Sequence, residues 1–353
     1  MRFAPEGSLR LVLAALGWRP ATIGATGLLL LGFVLARAGC APSTSPGVDE
    51  PDEDPGFRLV EGSRQWNTTA VSFRDSASGL GYAMVSVDTE APINGLEYYI
   101  YGADYSLSCN NSECWPPVSQ IFAEPELSIF DLSWSPLGPF LVFEGRDDVF
   151  GTRIYTMQPG GEPRAWVTGF DPVFTPDAGL VVYVENGRDA IRSFNPSSSR
   201  GFVERESLTS AANPAVSPDG RWLAYSAVDG DRGRRIFVLD RQNPQFFPDP
   251  VSDPDQFPAG QGTVRDGTDD DYPVWSPHGK YIAYRAKVNV GTIYDALFVT
   301  NPAGALEDVQ RIGALRPGRQ LTGLRWHARG EILLAVIDGD VYAFSMPQRY
   351  RDP

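Results

Sequence analysis

The sequence predicts an all-β fold built from a small antiparallel sheet that recurs along the chain. Short segments rich in β-branched and aromatic residues alternate with turns, and the 353-residue chain has 30 prolines and 36 glycines to form them. A similar phrase of residues returns at roughly 40- to 60-residue intervals. No long segment after residue 57 has a convincing helical period.

The first 39 residues predict a signal peptide or a membrane anchor. Basic residues come first, the apolar stretch 21–36 follows, and small residues lead to Cys40. That stretch is short for a membrane-spanning helix, which needs about 20 residues. The Ala-Gly-Cys40 ending resembles the lipoprotein box of bacteria and implies a lipid on Cys40, although Arg37 stands where the box prefers an apolar residue. Ordinary cleavage after Ala38 and an uncleaved anchor stay open.

Residues 40–56 predict a flexible tether. The segment is rich in proline and in acidic residues, so it repels itself and cannot bury a core. A tether of this kind suits a domain held at a membrane. We therefore expect an exported, membrane-tethered protein of the periplasm or the cell surface.

The repeat is clearest at Val216-Ser-Pro-Asp-Gly220, which leads into an apolar strand at 222–226 and a second strand at 236–240. Proline fixes φ at the start of a turn, Asp bonds its own backbone, and Gly supplies a positive φ. The phrase therefore predicts a tight turn between antiparallel strands. Weaker copies begin at Val71, Trp134, Phe174, Trp275 and Trp326.

The phrase at 217–220, with Trp222 after it, resembles the WD40-like repeat of TolB-type β-propellers. The segments 268–273 and 320–322 fit the part of that repeat that precedes the phrase. The resemblance implies a β-propeller over residues 57–346, followed by a C-terminal tail at 347–353. Six four-stranded blades are expected, and seven stay open because one 61-residue interval has room for an irregular unit.

The last copy of the repeat offers only three strands, which end near Ser345. A circular arrangement of sheets would need a fourth strand from elsewhere in the chain. Residues 57–60, Phe-Arg-Leu-Val, have the composition of a strand. We expect them to pair with the final blade, close the ring and remove exposed strand edges.

Cys109 and Cys114 bracket a short polar loop. In an exported protein such a pair more often forms a disulfide than a metal site, and no cysteine spacing in the chain fits a zinc pattern. The sequence therefore predicts a disulfide between Cys109 and Cys114. Two free thiols stay open, because a disulfide also needs compatible Cβ geometry.

The charge balance argues against binding of nucleic acid. The net charge is −14, and because the first 39 residues carry +3, the remainder carries −17. Clustered Lys and Arg hold a phosphate backbone, whereas this chain has only two lysines, Lys280 and Lys287, and scattered arginines. The acidity is typical of a soluble surface.

No catalytic, metal or cofactor site is predicted. The two histidines, His278 and His327, fall on turn positions of the repeat and have no evident orienting partner. The sequence contains no Gly-x-Ser-x-Gly motif. The acidic runs 229–231 and 266–271 lack the spacing of a calcium loop, and we expect both to be solvated loops.

Two places offer a candidate surface for a partner protein. They are Trp115, beside the cysteines, and the pair Phe246 and Phe247 in the proline-rich insert 243–266. Local packing against the propeller rim stays open for each. The resemblance to TolB-type propellers implies a non-enzymatic module that binds another envelope protein. The alternative is an enzyme or small-ligand receptor that uses the central channel, and it would be favoured by carboxylates or Asn from several blades meeting at one channel mouth.

Overall fold

The structure is a computed structural model, and it describes residues 57–59, 68–76, 79–88, 97–105, 119–123, 127–147, 149–230, 233–245, 249–252, 268–289, 293–302, 309–327 and 330–351. Several predictions lie outside these ranges: the signal segment 1–39, the tether 40–56 with Cys40, and the candidate residues Cys109, Cys114, Trp115, Phe246 and Phe247.

The described residues form 22 strands and one 3₁₀ helix, so the all-β prediction is confirmed. The strands are β1 (Phe57–Leu59), β2 (Thr68–Ser76), β3 (Gly79–Asp88), β4 (Glu97–Tyr105), β5 (Ser119–Ala123), β6 (Ser128–Trp134), β7 (Leu141–Asp147), β8 (Gly151–Met157), β9 (Arg164–Phe174), β10 (Val181–Glu185), β11 (Ile191–Phe194), β12 (Gly201–Arg205), β13 (Ala212–Val216), β14 (Trp222–Val228), β15 (Gly233–Asp240), β16 (Thr268–Trp275), β17 (Ile282–Asn289), β18 (Ile293–Thr300), β19 (Gln310–Ala314), β20 (Leu321–Trp326), β21 (Ile332–Ile337) and β22 (Asp340–Ser345). The 3₁₀ helix is Gln348–Tyr350. None of the helical segments in the described ranges is long and apolar enough to cross a membrane.

These strands form two four-stranded and two seven-stranded sheets. The four-stranded sheets have the orders β2-β3-β4-β5 and β1-β22-β21-β20. One seven-stranded sheet runs from β6 to β12 and consists of two antiparallel units that share β9, because residues 164–168 pair with β8 and residues 169–174 pair with β10. The other runs from β13 to β19, and a two-residue parallel contact between β15 and β16 joins its two units.

The unit β13-β14-β15 has its outer position filled by part of the proline-rich insert. Pro250 forms an isolated antiparallel bridge with Phe237 of β15, and the backbone N–H of Val251 donates to the Ile236 carbonyl at 2.8 Å. Residues 250 and 251 of the insert therefore lie along the edge of β15.

The N-terminal strand β1 pairs with the last strand of the chain. It runs antiparallel to β22, with Phe57 opposite Phe344 and Leu59 opposite Tyr342. This is the pairing that the sequence analysis expected for residues 57–60, and it gives the sheet of β20, β21 and β22 its fourth strand.

The repeated turn has the same hydrogen bonds in each well-formed copy. At Ser217 the backbone N–H donates to the Trp222 carbonyl, and the N–H of Gly220, at φ +73°, donates back to the Ser217 carbonyl, both at 2.8 Å. Equivalent pairs of bonds occur at Thr175, Ser276 and His327. His278 lies exposed in the turn that Ser276 begins, while His327 is buried. Both histidines therefore occupy turn positions, as predicted.

The core has an aromatic pair that recurs from unit to unit. In three units an aromatic residue of the second strand lies opposite an aromatic residue of the third, and the two rings stack with centroids 5.4 to 5.8 Å apart. Each pair adds about 0.5 to 1.5 kcal/mol to the stability from apolar burial. The pairs are Phe143 with Tyr155, Tyr225 with Phe237, and Tyr284 with Phe298.

Candidate functional site

The first strands of successive units contact one another, and five of them border one cavity. β2 contacts β6, β6 contacts β9, β9 contacts β13, β13 contacts β16, β16 contacts β20, and β20 contacts β2. A cavity of about 360 Å³ opens where these strands begin, and a second cavity of about 190 Å³ adjoins it. The two cavities share Asp131, Asp171, Asn213, Tyr272 and Arg325.

We call the larger cavity the channel mouth. Its wall contains charged and polar side chains from five first strands or from the strands and turns that follow them. They are Asp131, Glu144, Asp171, Arg188, Asn213, Arg234, Asp271, Thr322 and Arg325, with the rings of Phe130 and Tyr272 between them.

A recurring backbone irregularity points side chains into the mouth. Asp171, Asn213 and Tyr272 have φ values of 51°, 50° and 54°, and a proline follows each one. The pairing with the neighbouring strand shifts register at all three positions. Asp and Asn tolerate positive φ, but Tyr does so at a cost, and such strain is concentrated at functional sites.

Arg325 and Asp131 form an ion pair across the mouth between β20 and β6. The guanidinium Nη2 lies 3.2 Å from Asp131 Oδ1, which also accepts the Leu132 backbone N–H at 2.8 Å. Burial nevertheless raises the pKa of Asp131 to about 6, because the loss of solvent outweighs the attraction of Arg325.

Asp171 joins the neighbouring units. Its Oδ2 atom accepts the Asn213 backbone N–H at 3.0 Å and lies 3.4 Å from Nη1 of Arg188. Arg188 also donates to the Ala211 carbonyl at 3.3 Å and lies over the Phe170 ring. Burial raises the pKa of Asp171 in spite of these partners.

Asp271 is the most extensively bonded carboxylate of the mouth. Its Oδ1 atom accepts from Asn213 Nδ2 at 2.7 Å and from Ser226 Oγ at 2.6 Å. Its Oδ2 atom lies 3.8 Å from Arg234 Nε and 3.7 Å from Arg285 Nη2. Two guanidinium groups therefore balance this one carboxylate.

Glu144 of β7 differs from the other three carboxyls. It is only 7% exposed, and its Oε2 atom accepts the Asp171 backbone N–H at 3.0 Å. Within the described ranges it forms no ion pair. Burial first, and the charge of Asp171 second, raise its pKa to about 8.

One expectation about the acidic runs was wrong. Asp269, Asp270 and Asp271 were expected in a solvated loop, but they lie on strand β16, where Asp270 is fully buried beside Arg235 and Asp271 lines the mouth. The part of the repeat before the turn is the first strand of a unit, and its charges find partners on neighbouring strands. Asp229, from the other run, does lie in a loop after β14.

Sequence reasoning assigned no residue of the channel mouth to a functional site. A signal was present, because Asp171-Pro172, Asn213-Pro214 and Tyr272-Pro273 each stand four residues before the Ser or Thr of a repeated turn. In the part of the chain that the structure describes, no group of three or more His, Cys, Asp or Glu residues could hold a metal ion.

No protein-family pattern matches the sequence, and neither does any curated protein. Among solved structures the chain is similar to TolB from Acinetobacter baumannii, with a TM-score of 0.51 and 16% identity over 71% of this chain. The fold is a β-propeller. The match spans 55% of that TolB chain.

Two further solved structures have lower scores. A putative TolB from Agrobacterium tumefaciens is 16% identical, with a TM-score of 0.49 and coverage of 71% of this chain and 86% of that one. The Cps50 (Swd1) β-propeller domain from Myceliophteria thermophila is 12% identical, with a TM-score of 0.46 and coverage of 79% and 84%.

Proposed function

We propose that this chain is an exported, membrane-tethered β-propeller that binds another protein of the cell envelope at its channel mouth. The observation that carries the proposal is the convergence of charged side chains from five units on one cavity. Fixed charges in a partly buried concave site give orientation and specificity to a bound partner. The likeness to TolB is consistent with a protein-binding module.

The propeller of this proposal has six blades in a closed ring. The successive contacts of the first strands, from β2 round to β20 and back to β2, support a ring. The pairing of β1 with β22 supports closure by the N-terminal strand. A closed ring leaves no long sheet edge open to unwanted pairing, which suits a protein outside the cytoplasm.

The proposed tether consists of the signal segment 1–39, a lipid on Cys40 and the acidic segment 40–56, ahead of a propeller at 57–346 and a tail at 347–353. Its support is the sequence pattern of basic, apolar and small residues. Export also supports the proposed disulfide between Cys109 and Cys114, since disulfides persist in oxidising compartments.

The partner surface of this proposal extends over the rim of the propeller. Trp115, Phe246 and Phe247 are its sequence-based candidates. The hairpin between β7 and β8 adds Val149 and Phe150, which are 80% and 66% exposed. The Asp147 carboxylate accepts both of their backbone N–H groups, so the hairpin holds these apolar side chains in a fixed turn.

A second candidate function is a small-ligand receptor or enzyme that uses the channel. The observation in its favour is the one that the sequence analysis specified, because Asp131, Glu144, Asp171, Asn213 and Asp271 come from several units and meet at one mouth. The form of this candidate that needs a metal has no support among the described residues.

The test is in-cell crosslinking of the tagged full chain, followed by mass spectrometry of the captured proteins. We expect one reproducible envelope partner, capture that is lost or altered in Cys40→Ser, and weaker capture in Arg325→Gln. Arg221→Gln is the matched control, because Arg221 also forms an ion pair, 2.9 Å from Asp240, but at a repeated turn. Absence of any partner in all versions would contradict the proposal and favour the second candidate.

A further inference from the structure

One of the four carboxyls of the channel mouth forms no ion pair with a guanidinium group in the described ranges. Asp131 pairs with Arg325, Asp171 with Arg188, and Asp271 with Arg234 and Arg285. Glu144 lies in the same wall, is 93% buried, and has one carboxyl oxygen without a hydrogen-bond partner in the described ranges.

A buried carboxyl without a cation is costly. Transfer of an ionised carboxylate out of water is compensated only when an opposite charge and hydrogen bonds replace the lost solvent. Glu144 accepts one hydrogen bond, from the Asp171 backbone amide, and this amide supplies a dipole but no net charge. The missing complement is a group with one positive charge and N–H donors.

Resting on the proposed function of the same site, we propose that the channel mouth binds a primary ammonium or guanidinium group of a basic side chain on the partner protein, with Glu144 as its counter-ion. The cavity of about 360 Å³ has room for such a side chain, and the rings of Phe130 and Tyr272 in its wall suit the alkyl stem and the charged end.

Other ligand classes fit the mouth less well. An anion would have to displace Asp131, Asp171 or Asp271 from the arginines that they already hold. A calcium ion needs six to eight oxygens, whereas Asp131 and Asp171 direct oxygens to Arg and amide donors. One additional monovalent cation requires no existing pair to break.

Protonation of Glu144 gives this site a pH signature. The groups that face it are Asp131 of β6, Asp171 of β9, and Arg188 between β10 and β11. Because burial and Asp171 raise the pKa of Glu144 to about 8, the empty site holds a proton at neutral pH that a bound cation would expel. Affinity for the cation should therefore increase about tenfold for each unit by which the pH is raised, up to about pH 8.

The first test is calorimetric titration of the full chain, purified in detergent, with n-butylammonium and with methylguanidinium at pH 8. We expect saturable binding that Glu144→Gln weakens at least tenfold, while Glu162→Gln, the same change at an exposed position, leaves it unaltered. Gln keeps an oxygen to accept the Asp171 amide. Equal affinity in the wild type and in Glu144→Gln would overturn the proposal.

A second probe needs no variant. Tetramethylammonium has the same charge but no N–H donor, so we expect it to bind at least tenfold more weakly than n-butylammonium. Equal binding of the two ions, or no saturable binding of either at 50 mM as a rough upper concentration, would overturn the proposal.

The source of the cation is tested by competition. Saturating n-butylammonium should abolish crosslinking of the partner protein, as expected for a basic side chain in the mouth. Partner capture that persists at saturation would overturn the proposal and leave the proposed function intact. Saturable amine binding by a chain that captures no partner would overturn the proposed function and indicate a free amine as the ligand.

Discussion

Aspartates at the repeated turns and aspartates at the channel mouth have pKa values shifted in opposite directions. At the repeated turns, Asp177 accepts hydrogen bonds from the Thr175 hydroxyl and a nearby backbone N–H. Asp219 accepts the equivalent hydrogen bonds from the Ser217 hydroxyl and a backbone N–H. These bonds lower the pKa of both carboxyls. At the channel mouth, burial raises the pKa of Asp131 and Asp171.

The difference follows from the distance along the chain between each carboxyl and its partners. At a turn the partners lie within two residues, so a turn satisfies its own aspartate near the solvent. At the mouth the guanidinium partners lie on other strands or turns: Arg188 is 17 positions from Asp171, and Arg325 is 194 positions from Asp131. These sites are therefore formed only when the strands assemble. Turn carboxylates therefore stabilise the fold, whereas the burial that raises the pKa of Asp131, Glu144 and Asp171 costs stability. Of these, Glu144 has a carboxyl oxygen available for a ligand.

The largest expected effect is on the pH dependence of stability at Glu144. Its folded pKa of about 8 exceeds its ordinary value of 4.5, so the stability from its protonated form is complete below pH 4.5 and is lost as the pH rises through 8. At pH 9 we expect Glu144→Gln to be more stable than the wild type, on the order of 3 kcal/mol, by urea unfolding.

The matched control is Glu162→Gln, which should follow the wild-type curve. Asp131 and Asp171 also have raised pKa values and should lower the stability of every version as the pH rises. The account of Glu144 would be wrong if the wild type and Glu144→Gln had parallel curves between pH 5 and pH 9.

A smaller effect is expected at the turn end. The Ser217 hydroxyl is buried, donates to Asp219 and accepts the Trp222 backbone N–H at 2.8 Å. Ser217→Ala leaves that partly buried N–H with one partner fewer, and we expect a loss of about 1 to 2 kcal/mol at pH 7 by urea unfolding. Capture of the partner should not change. If Ser217→Ala kept its stability but lost the partner, the turns, and not the channel mouth, would be the binding surface.

The smallest effect is expected at Gly220. Its φ of +73° is unfavourable for residues with a Cβ, but a Cβ there would have open space around it. Gly220→Ala should therefore cost only about 1 kcal/mol, from backbone conformation alone. A loss of more than about 3 kcal/mol in urea unfolding would show that the turn has contacts beyond its own residues.

The turn could be predicted from the sequence because its interactions join residues that are close in the chain. Pro, Asp and Gly at fixed offsets after Ser217 specify both the conformation and the hydrogen bonds. The extra strand at residues 57–59 was also predictable, since the last copy of the repeat visibly lacked a fourth strand. Pattern and composition were sufficient for these elements.

The channel mouth could not be predicted from the sequence, because its contacts join residues that are far apart in the chain. Asp131 and Arg325 are separated by 194 positions, and Asn213 and Asp271 by 58. An acidic run such as 269–271 normally indicates solvent exposure, so its place on a buried first strand was missed. The positive φ at Tyr272 coincides with the Tyr272-Pro273 pair four residues before Ser276, a signal that the sequence analysis did not use.

The most direct test of a partner-binding channel mouth is site-specific photocrosslinking in cells. A photoreactive residue would replace Phe130, 39% exposed in the wall of the mouth, or Leu137, 63% exposed in a repeated turn. We predict that the full chain captures one discrete partner from position 130 and none from position 137. Capture from position 137 alone would contradict the account and place the binding surface at the turns.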